Sequence, residues 1–403
     1  MPYRILSLDG GGTWALIQVK ALQTIYGENT NGRKVLQDFD LVAANSGGSI
    51  VLAGLLEDLP LAKIIDLFQN EQLRRSIFSP AHHILDEILQ KLGHIGPKYS
   101  TEKKLPAIQK ALPGSIKALR DAAAGIRRPG ATEDVRLLFV AFDYDHNRAK
   151  YFRSSASGNE HTGKAAADDV SVADAVHAST NAPVNYFDDP ASFPDRPQAG
   201  RFWDGAITGN NNPVLSGVTE ALVIGIKPDD LVALSIGTGS VALPPAPVGE
   251  HSSPLFQGPS KPGLLADLNK LATAILDDPP NIATFIAHMV TGAGAGVPAP
   301  ADSRVVRMSP LISPMREGNG PWHVPVGMDP DPDVALQKFL FLKNLDMDAV
   351  ENEEVIAIVA CTELWLRDKT LNQPIRMDGD TLEPKVGKAK FSEALAAWNA
   401  IKN

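Results

Sequence analysis

Leu41-Val42-Ala43-Ala44-Asn45-Ser46-Gly47-Gly48-Ser49 is the stretch on which the fold turns. Small and apolar residues run to Asn45 and predict a buried strand. The glycines then predict a tight turn into a helix. A serine at such a junction lifts its hydroxyl above the sheet edge, beside a helix N-terminus. That is the nucleophile-elbow geometry, usually written G-x-S-x-G. Here Ala44 stands at the first glycine position and Gly48 at the second. The plain alternative is an ordinary polar strand-to-helix turn.

Two other motifs bear on Ser46. Upstream, Ile5-Leu6-Ser7-Leu8 reads as a strand running into Asp9-Gly10-Gly11-Gly12-Thr13. Leu16, Val19, Leu22 and Tyr26 then follow at helical spacing, with Gly27 as a C-cap. A glycine loop before a helix presents unshielded backbone N–H groups. Those groups suit a phosphate or the oxyanion of a tetrahedral intermediate. Downstream, Arg201-Phe202-Trp203-Asp204-Gly205-Ala206 places an aspartate at a strand end, where an Asx-turn is the simpler reading.

The order of glycine loop, serine elbow and Asp-Gly-Ala resembles the patatin-like phospholipase family. Pro97-Lys98-Tyr99-Ser100, Leu137 to Asp143, Ala178-Ser179-Thr180-Asn181-Ala182-Pro183 with Tyr186-Phe187, and Leu234 to Gly239 extend the resemblance over roughly residues 3 to 240. It implies a three-layer α/β/α fold with a mainly parallel sheet. It also implies a Ser46–Asp204 dyad without a catalytic histidine. Two departures matter most, and a lesser one follows them. Trp14 and Ala15 replace an arginine and a glycine after the glycine loop, Ala44 replaces the first elbow glycine, and Asn181 replaces an alanine.

The implied chemistry is acyl transfer. Serine is a weak nucleophile until a base takes its proton. An aspartate has an ordinary pKa of about 3.9, and burial raises it toward useful basicity. Gly10, Gly11, Gly12 and Gly47 are the expected oxyanion donors. The expected substrates are phospholipid, lysophospholipid or another acyl-ester lipid, met at a transient membrane interface. No cofactor or metal is needed.

Other readings compete with this one. An α/β-hydrolase triad would draw on His251, His288 or His323, but Ser46 follows a single βα unit, too early for that fold. His177 reads as a packed or capping residue on a helix from Val172 to Ser179, and His82, His83 and His146 as loop or surface residues. An actin-like sugar kinase would use the Asp9-Gly10-Gly11-Gly12-Thr13 loop, but it needs a second strand directly after it, where helical spacing stands. A non-catalytic lipid or protein binder of the same fold is the third reading.

Composition sets bounds. The 403 residues are 44% hydrophobic with a formal net charge of -9, which disfavours general nucleic-acid binding. Arg74-Arg75, Lys103-Lys104 and Arg127-Arg128 are candidate basic patches, or plain solvated faces. The single cysteine, Cys361, excludes an intrachain disulfide. No signal peptide or membrane span is read, so a cytoplasmic protein peripheral at membranes is expected.

The expected organisation is a core of residues 1–240 with a variable helical cover at 58–130, then a helical and loop-rich extension at 241–403. Ile84, Ile88 and Leu92 suggest one apolar helix face within the cover. The proline-rich 241–263 and glycine-rich 291–303 stretches are candidate lids or plain loops.

Overall fold

The computed structural model describes the chain except residues 82–96, 159–160, 185, 248–252, 259–261, 264–269, 271–279, 293–302 and 319. His82, His83, His251, the Ile84–Leu92 face and much of both loop stretches therefore lie outside the described residues.

Six strands carry the site: β1 (Tyr3–Leu8), β2 (Leu41–Asn45), β3 (Arg136–Asp143), β4 (Arg148–Arg153), β5 (Phe202–Asp204) and β6 (Leu231–Ile236). Past a short β7 (Ser240–Val241), β8 (Val305–Met308) completes the sheet. Its order is β4-β3-β2-β1-β6-β8, with β5 also on β3. The β1–β2, β1–β6, β2–β3 and β6–β8 pairs are parallel, while β4 and β5 run antiparallel to β3. The last strand therefore comes from the segment after residue 240.

Alternate side chains point to opposite faces. Leu6, Leu8, Val42 and Ala44 join one core cluster with the Leu16–Tyr26, Gly47–Leu56 and Val172–Ser179 helices. Ile5, Leu41 and Ala43 join another with Val214 and Val218 of the Val214–Val223 helix. Strands sealed on both faces explain the nearly continuous apolar runs. This is the α/β/α architecture.

After the glycine loop the chain makes a 3₁₀ turn, Gly12–Ala15, and enters the Leu16–Tyr26 helix. The second strand required by a sugar-kinase phosphate hairpin is not formed there. Among the described residues no helix is long and apolar enough to cross a membrane.

Two expected basic patches are corrected by the structure. Lys104 is fully buried, and Arg74 is 3% exposed. Arg74 donates to the carbonyls of Phe68 and Val350 and to Asn352 Oδ1. Neighbouring residues on a helix point about 100° apart, so one cation of a pair can turn inward and a basic pair need not make a basic surface.

Candidate active site

The loops after β1 and β2 open at the carboxyl ends of the strands. Chain order turns back at β1, whose neighbours are β2 and β6. In open α/β sheets such a switch point is where a crevice forms.

Ser46 sits at φ 47°, ψ -122° as the residue before the Gly47–Leu56 helix. A non-glycine residue held there stores roughly 1–3 kcal/mol of strain, which the surrounding structure must over-determine. It does so through Ser179. The Ser46 N–H donates to Ser179 Oγ at 2.9 Å, Ser49 Oγ stands 2.9 Å from the same oxygen, and Ser179 Oγ donates to Asn45 Oδ1 at 3.4 Å. Ala44 lies in the regular ladder of β2, opposite Leu8 and Phe139. The turn is tight at Ser46, two residues later, so alanine is accommodated.

Strand register brings Asp204 to Ser46. Asn45, the last residue of β2, pairs with Val140, and Asp204 pairs with the next residue, Ala141. β4 already occupies the other edge of β3 there, so β5 continues the row where β2 stops. Asp204 is 3% exposed, and the neighbouring Ser46 hydroxyl favours its ionised form. Its Oδ1 accepts from Asn45 Nδ2 at 3.0 Å and from the Ala206 N–H at 2.9 Å. Burial pushes its carboxyl above the usual range; the Ser46 hydroxyl, the bonds from Ala206 and Asn45 and the Lys104 charge oppose that rise.

The glycine loop faces this pair. Gly12 has φ 54°, a left-handed conformation that suits glycine. A Cβ on Gly47 would stand 2.5 Å from the Gly12 carbonyl oxygen, so glycine lets the helix start against the loop. No acceptor among the described residues takes the N–H of Gly11, Gly12 or Gly47. Gly10 differs from the expectation, because its N–H already donates to the Asn211 carbonyl at 2.8 Å. Gly48 also donates inward, to the Asp9 carbonyl at 3.1 Å.

The C-terminal segment closes the loop from outside. Thr13 donates its N–H to Met347 O at 3.0 Å, and Trp14 Nε1 donates to Asp346 O at 3.1 Å. Trp14, at the resemblance's arginine position, is therefore a clamp. A cation reaches the loop from β8: Arg307 pairs with Asp9 at 2.7 Å, and both are buried. Neither Arg307 nor Met347 carried a sequence signal, since their places depend on long-range pairing. Ser179 lies in the Ala178–Pro183 motif, but its bond to Ser46 is a tertiary fact.

His177 is buried within the Val172–Ser179 helix. His146 bonds Asp143 at 2.8 Å, His288 lies near Ser303 and His323 near Val324. None of these three pairs with Ser46 or Asp204.

Ser46, Asp204 and Gly11 line a cavity of about 570 Å³. Val184 and Val241, 69% and 44% exposed, stand at its wall. A hydroxyl beside a buried carboxylate and free backbone donors, open to a largely apolar cavity, suits acyl transfer.

The family model for patatin-like phospholipase matches residues 6–218, just over half of the chain. The chain belongs to the patatin-like phospholipase family. A cGAMP-activated phospholipase of Pseudomonas aeruginosa is 28% identical to this patatin-like chain over 245 residues, which cover 59% of this chain and 63% of the relative. The chain thus spans less than two thirds of that relative's length. Among solved structures, VipD from Legionella pneumophila is 11% identical, covering 90% of this chain and 66% of its own, at TM-score 0.32. The type III effector ExoU is 11% identical over 90% of this chain and 53% of its own, at TM-score 0.26. Likenesses of that order add nothing to the patatin-like assignment.

Proposed function

We propose that the chain is a lipid acyl hydrolase of the phospholipase A or lysophospholipase type. The observation that carries this is the strained Ser46 beside the buried Asp204 on one cavity wall. Ser46 Oγ attacks the ester carbonyl carbon while its proton passes to Asp204. The carbonyl electron pair moves to oxygen, and the N–H groups of Gly11, Gly12 and Gly47 hold the oxyanion. Losing one such donor costs about 10²–10³ in rate. The oxyanion collapses, the C–O bond breaks, and the alcohol leaves with the proton from Asp204. Water repeats the sequence on the acyl-enzyme and releases the acid.

The substrate class rests on the family, the 570 Å³ cavity and the apolar residues at its wall. Val184 and Val241 suit transient contact with a lipid surface. The test is fatty-acid release from phosphatidylcholine and lysophosphatidylcholine in mixed micelles, with and without cGAMP. Release by wild type and none by Ser46→Ala is expected. No release by folded wild type under either condition would favour the non-catalytic reading.

A further inference from the structure

Lys104 is fully buried on the Thr101–Ala111 helix. Burying an ammonium is costly unless charge and hydrogen bonds compensate. Its Nζ donates to Asn181 Oδ1 at 2.6 Å and stands 4.0 Å from the centre of the Phe187 ring. One strong acceptor and one ring face are little for three donors. The same lysine lines a small cavity, about 30 Å³, together with Ser46, Gly47 and Gly12. Asn181 is fixed in turn: its Nδ2 donates to the Asp189 carbonyl at 2.7 Å, and its own carbonyl accepts the Asp204 N–H at 2.9 Å. Asn181 therefore touches both the lysine ammonium and the Asp204 backbone. It is also the residue that departs from the alanine of the family's motif.

Resting on the acyl-hydrolase reading, we propose that Lys104 is a positioning residue whose buried ammonium, held by Asn181, keeps Asp204 in its ionised, proton-accepting form. The titratable groups that face Lys104 are Asp204 on β5, Asp188 in the preceding loop and His177 on the neighbouring helix. Burial pushes Lys104 well below the usual lysine range, while Asp204 and Asp188 pull it up. Burial pushes Asp204 the opposite way, and Lys104 opposes that rise. Each therefore opposes part of the shift that burial imposes on the other. A neutral residue at 104 leaves Asp204 with neutral donors only, and a protonated carboxyl cannot take the serine proton.

The test is kcat/KM for a soluble acyl ester from about pH 4 to about pH 9, read by acid release. Wild type, Ser46→Ala, Lys104→Met and Asn181→Ala are compared, with circular dichroism on each. Lys104→Met is expected to move the acidic midpoint upward by up to about 1 unit and to recover rate at high pH. Asn181→Ala is expected to move it upward by less. A uniform loss with an unmoved midpoint in folded Lys104→Met would overturn the proposal, because that is what a merely structural role gives. If Lys104→Met does not fold, Asn181→Ala decides: an upward midpoint supports the proposal and an unmoved one overturns it. Full activity in Ser46→Ala would instead sink the hydrolase reading itself.

Discussion

Asp9 and Asp204 are two buried aspartates at strand ends on the wall of one cavity, with different neighbours. Asp204 is held by Asn45 and Ala206, neutral donors in direct contact, and faces the Ser46 hydroxyl. Asp9 is held by the Arg307 guanidinium, which also bonds Ser235 and Gln373. Burial pushes both carboxyls up, Asp9 to about 6 even with arginine beside it. A carboxylate locked to an arginine pins the glycine loop. A carboxylate facing a serine hydroxyl can accept its proton. Neighbours, not residue type, set the two roles.

The largest expected effect separates the pair directly. Asp204→Asn should lower lipid hydrolysis by about 10³-fold or more, since an amide cannot take the proton. Asp9→Asn should cost far less in rate. Equal losses in steady-state assays would dissolve the distinction between base and pin.

Next is Arg307→Met, which strands the Asp9 charge. Breaking a buried pair costs about 3–5 kcal/mol, read by urea unfolding. The raised Asp9 carboxyl binds its proton more tightly folded than unfolded. That stability is present below pH 3.8 and is lost as pH rises through about 6. Without Arg307 the carboxyl rises further, so the Arg307→Met deficit should be larger at about pH 8 than at about pH 5. A pH-independent deficit would mean the ion pair is only packing.

The smallest effect concerns the serine's backbone. Ser179→Ala removes the acceptor of the Ser46 N–H, and a lost hydrogen bond is worth about 1 kcal/mol. A fall in kcat of about fivefold, with KM unchanged, is expected from looser positioning of Ser46. A change in KM alone would place Ser179 on the substrate side.

Much of the site was legible because its signals are local. A buried strand ending in Asn-Ser-Gly-Gly, a glycine loop after β1 and Asp-Gly-Ala at the end of β5 each lie within a few residues. The layered sheet was legible from apolar strands alternating with helical spacing. Non-local facts were not. Lys103-Lys104 reads as a solvated pair until the fold turns Lys104 inward against Asn181. Gly10 reads as a free donor until Asn211 arrives to accept its N–H. Arg307 gains meaning only when β8 pairs with β6. Ala44 reads as a hindrance until the turn is seen to fall at Ser46.

The most direct test of the Ser46–Asp204 pair is labelling with a serine-directed fluorophosphonate, mapped by peptide mass spectrometry, on wild type, Asp204→Asn and Asp9→Asn. The account predicts label on Ser46 in wild type, slowed by about 100-fold or more in Asp204→Asn and by less than about tenfold in Asp9→Asn. Label on another serine, or equal labelling rates in wild type and Asp204→Asn, would contradict it.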